Sequence, residues 1–233
     1  MNIGIAIVCR FNSSRFPGKI LHEIQNNTVL ENIIYRLKKN LPKNEICIAT
    51  SLNKSDDVIY DLCKEKNFNI YRGNLNDVSG RLLECAKKNN WDYFVRINGD
   101  NIFVDIESLE IMMKHIIEKS PNFITNVPSR TFPYGMSVEI LKTSFYEMIY
   151  NSGKLSFDDK EHVTKWLYEN LESYEYTEYK NIKYENIKGR MLALDHEHDL
   201  ALINKILNFS NKAISDITLS DIDRFFFKTK EIN

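Results

Sequence analysis

The 233-residue chain carries 31 Lys+Arg against 32 Asp+Glu, a formal net charge of −1, and is 43% hydrophobic and 27% charged. That balance excludes a global basic field for nucleic acid, so any anion site must be local; the apolar fraction excludes disorder. No stretch reaches the roughly 20 apolar residues of a membrane span, and the length suits one domain, taken as residues 1–233.

The first half alternates strand-like and helix-like segments. Residues 3–9 form a continuous apolar run of strand length. Leu30, Ile33, Ile34, Leu37 and Leu41 then follow helical spacing behind a Thr28/Glu31 capping box. Residues 45–49 read as a second strand, and Val58, Ile59, Leu62 and Cys63 as a helix opened by Ser55 or Asp56. A third strand at 68–71 precedes a helix marked by Val78, Leu82, Leu83 and Ala86. A fourth at 93–97 precedes Ile106, Leu109, Met113, Ile116 and Ile117 on a helix begun near Asp105. In the less regular second half, 123–125, 137–141, 174–178 and 191–194 read as strands; 143–150, 159–171, 198–207 and 219–227 read as helices. The β-α repeat predicts an α/β protein: a mixed, mostly parallel sheet flanked by helices, with a small appended excursion. Ligands of such sheets bind at the carboxyl ends of the strands. Cys9, Cys47, Cys63 and Cys85 sit among apolar residues with no Cys-x-x-Cys pair. Buried free thiols are therefore expected, and with no basic leader before the first strand, a cytoplasmic location.

The strongest local signal is Cys9-Arg10-Phe11-Asn12-Ser13-Ser14-Arg15-Phe16-Pro17-Gly18-Lys19, where the first strand ends. Three cations fall within ten residues, and no acid occurs before Glu23. Asn12 tolerates positive φ, the serines offer short donors, and Pro17-Gly18 forces a bend. Backbone N–H groups with Arg and Lys heads around a bend make a phosphate nest; a solvated basic loop is the alternative. The segment is neither a Walker loop nor a G-x-G-x-x-G fingerprint.

This loop resembles the A-R-x-G-S-x-R-L-P-G-K segment of the CMP-Kdo synthetase and acylneuraminate cytidylyltransferase-like family, most of all its subgroup of spore-coat polysaccharide biosynthesis cytidylyltransferases. Further blocks are similar in the same order. Tyr71-Arg72-Gly73 with Asp77-Val78 and Arg81 resembles F-R-G…D-V-L-x-R. Arg96-Ile97-Asn98-Gly99-Asp100 resembles R-I-T-G-D, with Asp105 as its downstream acid. Phe132-Pro133-Tyr134-Gly135-Met136 with Val138-Glu139 resembles Y-P-x-G-L-D-V-E. Glu161-His162-Val163-Thr164 matches E-H-V-T, and Leu194-Asp195 with Asp199-Leu200 resembles V-D-T-x-x-D-L. Together they span about residues 3–207.

The resemblance implies a nucleotide-diphospho-sugar transferase (GT-A-like) fold. The activity it implies is a Mg²⁺-dependent cytidylyltransferase: a nucleotidyltransferase passing CMP from CTP to an acidic sugar or small phosphorylated acid, with release of pyrophosphate, for surface polysaccharide biosynthesis. Matching positions make Arg10, Arg15, Lys19 and Asp100 catalytic. Arg10, Asn12, Ser13, Ser14, Arg15, Lys19, Arg72, Ser79 and Asn98 would hold the nucleotide, and Tyr134, Glu139, Glu161 and His162 the acceptor. Asp100 and Asp195, each expected at a strand end, are the implied Mg²⁺ ligands, since paired carboxylates beside a triphosphate are hard-oxygen chemistry. A turn residue for Asp100 and a helix N-cap for Asp195 are the structural alternatives. A homodimer is the resemblance's expectation; nucleic acid and membrane are not expected partners.

Other signals weigh less. Glu161 and Lys165 could form an i,i+4 pair, and His162 could be a buried structural histidine. The two-residue spacing in His196-Glu197-His198 is expected to split the imidazoles over a solvated face. Asp221-Ile222-Asp223 resembles the glycosyltransferase D-x-D but falls in a terminal helix pattern. Asn12 replaces the loop glycine, Asn101-Ile102 stands where Cys-Pro is usual, and Ser137 replaces the Asp of the D-V-E block. The acceptor side has thus drifted further than the triphosphate side. A glycosyltransferase using a nucleotide-sugar on the same fold, and a non-catalytic nucleotide-binding protein, are the competing readings.

Overall fold

A computed structural model of the protein describes residues 1–230. In chain order the strands are β1 (Ile3–Val8), β2 (Glu23–Ile24), β3 (Asn27–Thr28), β4 (Ile46–Ser51), β5 (Ile70–Gly73), β6 (Tyr93–Asn98), β7 (Phe123–Thr125), β8 (Glu139–Lys142) and β9 (Tyr176–Glu178). The helices are α1 (Val29–Asn40), α2 (Asp57–Glu65), α3 (Val78–Lys88), α4 (Ile106–Lys119), α5 (Thr143–Asn151), α6 (Phe157–Glu161), α7 (Lys165–Glu169), α8 (Asp199–Ser210) and α9 (Leu219–Lys230). Seven strands make one sheet in the order β5-β4-β1-β6-β8-β7-β9. The first four of these are mutually parallel; β8 runs antiparallel to both β6 and β7, and β9 parallel to β7.

The period-2 geometry of the strands explains the two layers. Ile5, Ile7, Val95 and Ile97 face a core built with α1, α4, α8 and α9. Ala6, Ala49 and Phe94 face a second core built with α3, α5 and α7. Both faces are covered, so β1 and the first residues of β4 and β6 read as apolar runs. Thr28 and Glu31 close the expected capping box on α1, and Asp105 caps α4 through the Ser108 N–H at 2.9 Å. All four cysteines are buried and free. No helix among the described residues is long and apolar enough to cross a membrane.

The structure departs from the sequence reading in three places. A two-stranded hairpin, β2–β3, turns at Gln25 and Asn26, both at positive φ (52° and 66°). Asp56 holds the N-cap position of α2, as expected, but its side chain makes no cap bond and is turned inward; a short turn capped by Asn53 precedes the helix. Residues 191–194 are not a strand: Met191 alone makes a bridge, parallel to Tyr134. The expected helix at 159–171 is two short ones, α6 and α7, broken at Val163 with φ 44°. Tertiary hydrogen bonds compete there: the Tyr146 hydroxyl donates to the Val163 carbonyl at 2.9 Å, and Thr164 Oγ1 to Glu139 at 2.7 Å. A positive φ is costly for a β-branched residue, and the break falls directly after Glu161 and His162.

Candidate active site

The loop after β1 is shaped by its own backbone and one buried acid. Gly18 takes φ 75°, a conformation that favours glycine, and its N–H donates to the Phe11 carbonyl at 2.9 Å. The Phe11 N–H donates to Asp56 Oδ1 at 2.7 Å, while Asp56 Oδ2 accepts from Thr50 and Ser51 on β4. Asp56 is fully buried, so it fixes the loop to the sheet. Arg10, Arg15 and Lys19 are thereby held over the carboxyl ends of the parallel strands.

Asp100 follows β6 and Gly99. A Cβ on Gly99 would lie 2.8 Å from Cys9 Cβ and 2.9 Å from Ile20 Cδ1, so only glycine lets these chains approach. Asp195 arrives from the distant second half, brought in by main-chain bonds rather than by a strand. The Leu192 N–H donates to the Tyr134 carbonyl at 2.9 Å, the Tyr134 N–H to Arg190 O at 2.9 Å, and the Leu194 N–H to the Asp100 carbonyl at 3.3 Å. The two acids then share one ammonium group: Lys19 Nζ donates to Asp100 Oδ2 at 3.1 Å and to Asp195 Oδ1 at 3.0 Å. Arg15 completes the cluster, 3.1 Å from Asp195 Oδ2. Asp195 is therefore neither a helix cap nor a strand end.

These groups border a cavity of about 310 Å³. Of the residues expected at a site, Arg10, Ser13, Ser14, Arg15, Lys19, Asn98, Asp100, Glu161, His162 and Asp195 line it. Glu161 faces Arg10 at 3.9 Å, and Lys165 pairs instead with Asp158 and Glu169. His162 is not buried; its side chain is 60% exposed.

Five expected residues do not line the cavity. Asn12 is exposed and does not border it. Arg72 is tied to the Ser51 carbonyl at 2.8 Å and to Asp57 at 2.8 Å. Ser79 is buried, its hydroxyl 3.2 Å from the Asp159 carbonyl and 2.8 Å from the Tyr146 hydroxyl. Tyr134 lies under the Arg130 guanidinium, 4.6 Å from ring centroid to Cζ. Glu139 is buried behind the wall, paired with Arg96.

Two lining arginines were given no role by the sequence reading, although both fall inside matching blocks. Arg81 is 4% exposed and donates through Nη1 to the Asn74 carbonyl at 2.9 Å. Burial lowers its pKa, and nearby Arg10 adds to the effect against the pull of Asp56. Arg96 faces Glu139 directly across the β6–β8 pair. Burial works against its charge, but Glu139 outweighs burial and raises the pKa. Five cations and three carboxylates line the cavity, so it carries a positive excess suited to a polyanion.

His196 and His198 are not split by their spacing. They precede α8 in a turn and stack, with centroids 4.9 Å apart, beside Asp199. Among the described residues, these three form the sole group of three or more His, Cys, Asp or Glu side chains close enough to share a metal. Asp221 and Asp223 are structural: the first accepts from Thr218 and Lys212, the second from the Asn186 N–H.

The mixed sheet with its ligand cavity at the strand ends is a nucleotide-diphospho-sugar-transferase-like fold. The chain belongs to the cytidylyltransferase family, whose profile matches residues 5–215. It is 30% identical to the uncharacterized protein MJ1063 of Methanocaldococcus jannaschii over 90% of each chain. It is 26% identical to the spore coat polysaccharide biosynthesis protein SpsF of Bacillus subtilis over 69% of this chain and 68% of SpsF. About half of it, 51%, matches 47% of a 3-deoxy-manno-octulosonate cytidylyltransferase of Acinetobacter baumannii at 28% identity. The structure of a cytidylyltransferase from Leptospira borgpetersenii superposes with a TM-score of 0.90 at 29% identity, covering 100% of this chain and 96% of that one.

Proposed function

We propose that the protein is a Mg²⁺-dependent cytidylyltransferase of the cytoplasm. It transfers CMP from CTP to an acidic sugar or a small phosphorylated acid, in the service of surface-polysaccharide assembly. The observation that carries this reading is the Lys19 ammonium held between Asp100 and Asp195, with Arg15 on the second acid. Two carboxylates from remote parts of the chain converge on one cation beside a basic loop. This is the arrangement that phosphoryl chemistry needs, because positioning and charge neutralisation dominate its catalysis.

In the reaction, an acceptor oxygen bonds to the α-phosphorus, passing its proton, where it carries one, to solvent, while the bond from that phosphorus to the α–β bridging oxygen of CTP breaks and that oxygen leaves with pyrophosphate. Arg10, Arg15 and Lys19 neutralise the departing pyrophosphate, Ser13 and Ser14 add donors, and Asn98 lies on the nucleotide's path. Both Asp oxygens already lie within 3.1 Å of one cationic nitrogen. Such a two-carboxylate set fits Mg²⁺, which keeps several water and phosphate ligands. Bound there, the ion would supply charge neutralisation at the phosphates. Glu161 and His162, set by the break at Val163, line the acceptor side. SpsF and the 3-deoxy-manno-octulosonate enzyme support the polysaccharide setting and the sugar-acid acceptor.

A thermal-shift panel of CTP, UTP, ATP and GTP, each with and without Mg²⁺, tests the reading, since a ligand that binds the native state raises Tm by mass action. A Mg²⁺-dependent rise with CTP above the other triphosphates is expected. Equal shifts with every triphosphate, or none with CTP, would overturn it.

A further inference from the structure

Among the described residues four buried side-chain polar atoms have no hydrogen-bond partner; two of them, Arg81 Nε and Arg96 Nε, belong to this one cavity's wall. A buried donor left unmet costs about 1–3 kcal/mol, more on a charged group, so such atoms call for an explanation. Two in one cavity point to acceptors brought by a ligand. The two arginines serve different ends. Arg81 rises from α3 with Cys9, Asp56 and Arg10 as its electrostatic neighbours, on the side of the basic loop. Arg96 projects from β6 on the same face as Asn98, with Glu139, Tyr168 and Tyr146 around it, and pairs toward β8.

The setting of Arg96 is built. Glu139 lies opposite it in the β6–β8 register and is 3% exposed. One Glu139 oxygen accepts from Arg96 Nη1; the other accepts from the Thr164 hydroxyl at 2.7 Å and the Tyr168 hydroxyl at 2.6 Å. Tyr168 is locked in turn by Thr125 Oγ1 at 2.8 Å. Glu139 is thus fully engaged and cannot turn to the cavity. It holds the guanidinium by Nη1 alone and leaves the edge formed by Nε and Nη2 without a protein partner among the described residues. That edge is a planar two-donor fork, the shape that takes an oxyanion through two parallel hydrogen bonds.

We propose that the Nε–Nη2 edge of Arg96 reads the acidic group of the acceptor, and that Glu139 is the positioning residue that presents it. The proposal rests on the nucleotidyltransfer reading above and adds which residue makes the enzyme demand an acid. Carboxylates and phosphates share the oxyanion chemistry, and the experiment separates them. Wild-type protein is saturated with a non-reactive CTP analogue and Mg²⁺, then titrated calorimetrically with two probe sets. One is hexuronic and 2-keto sugar acids with their methyl esters; the other is sugar phosphates with their free sugars. Pyrophosphate release from CTP is followed for every probe that binds.

An acid is expected to bind while its neutral counterpart does not, and the arm that binds names the group. Arg96→Gln alone strands Glu139 as a buried unpaired charge, which endangers folding, so the decisive variant is Arg96→Gln with Glu139→Gln. It is expected to keep CTP affinity within about twofold and to lose about tenfold or more in acid affinity and in acceptor KM. Arg96→Lys, which keeps the charge and loses the fork, should fall between. The proposal is overturned if no acid in either arm binds better than its neutral partner, or if the double variant binds the acid like wild type. Failure of CTP itself to bind wild type would overturn the nucleotidyltransfer reading, and this proposal with it.

Discussion

Replacing Lys19 by Met removes the cation shared by Asp100 and Asp195 while keeping the unbranched stem of the side chain, one atom shorter. The lost contacts are two charge-assisted hydrogen bonds of 3.1 and 3.0 Å, to side chains 22% and 13% exposed. Hydrogen bonds to charged groups contribute about 1.5–3 kcal/mol each when shielded. Partial exposure and the Arg15 contact that remains on Asp195 reduce the sum to about 2–3 kcal/mol. At roughly 2–4 °C per kcal/mol for a chain of this size, Tm without divalent ion should fall by about 5–10 °C. The diagnostic sign is the response to Mg²⁺. With the ammonium gone, the paired carboxylates are left facing each other, so MgCl₂ should raise the Tm of Lys19→Met more steeply than that of wild type. Turnover should fall by about 10²–10³ even so, because the charge that meets the leaving group is gone. Differential scanning fluorimetry across a MgCl₂ series, beside a pyrophosphate-release assay, reads both effects. An unchanged Tm without divalent ion, or parallel Mg²⁺ responses in the two proteins, would refute the shared-cation account.

Gly135→Ala should be far more damaging than its size suggests. The residue sits at φ 86°, and a Cβ would fall 2.3 Å from Ala193 N and 2.5 Å from its Cα, for an expected loss of about 2–4 kcal/mol with turnover lost as Asp195 shifts. Urea unfolding and the pyrophosphate assay measure the two, and a variant matching wild type in both would sink the placement of the Asp195 segment. A pH dependence follows from Asp221. Burial pushes its carboxyl up, but Lys212 and Thr218 outweigh burial and hold it below the usual aspartate range. A depressed folded pKa means stability that is present above the unfolded value of about 3.9 and lost as pH falls through the folded one. The stability gap between wild type and Asp221→Asn should therefore stay constant from neutral pH to about pH 5 and close below about pH 4. Denaturation midpoints over that range decide it, and a gap still full at about pH 3 would contradict the Lys212–Asp221 pairing.

Much of the first half was legible because its signals are local. Apolar runs at residues 3–9 and 93–95 mark strands covered on both faces, and the Thr28/Glu31 box and the Asp105 cap fix helix starts through bonds three residues away. The second half is governed by contacts between remote residues. Nothing near Val163 in sequence says that Tyr146 will take its carbonyl or that Glu139 will take the next hydroxyl, so one expected helix becomes two. Asp195 was singled out, but its route was misread: residues 191–194 have a strand's apolar content without a strand's partners. In the site, the loop cations and both acids converge as their order along the chain suggested. Arg72, Ser79 and Glu139 do not enter the cavity, since a motif match places a residue near a site without fixing which way its side chain is spent. Arg81 and Arg96 could have been noticed as lone charges within apolar patterns, between Val78 and Leu82 and between Val95 and Ile97. A cation there must be buried, and a buried cation needs a reason.

The tether of the second acid has a consequence for sequence change. Because peptide groups, through Leu192, Leu194 and the chain at Tyr134, carry that stretch to the first acid, exposed side chains such as Met191 are free to vary without shifting the pair. Substitution can wear away the exposed letters around Asp195 while its spatial address persists, provided the buried Leu192 and Leu194 and the facing Gly135 stay. Descendants of this scaffold are thus free to diversify the rim that meets the acceptor at little cost to the chemistry beneath it.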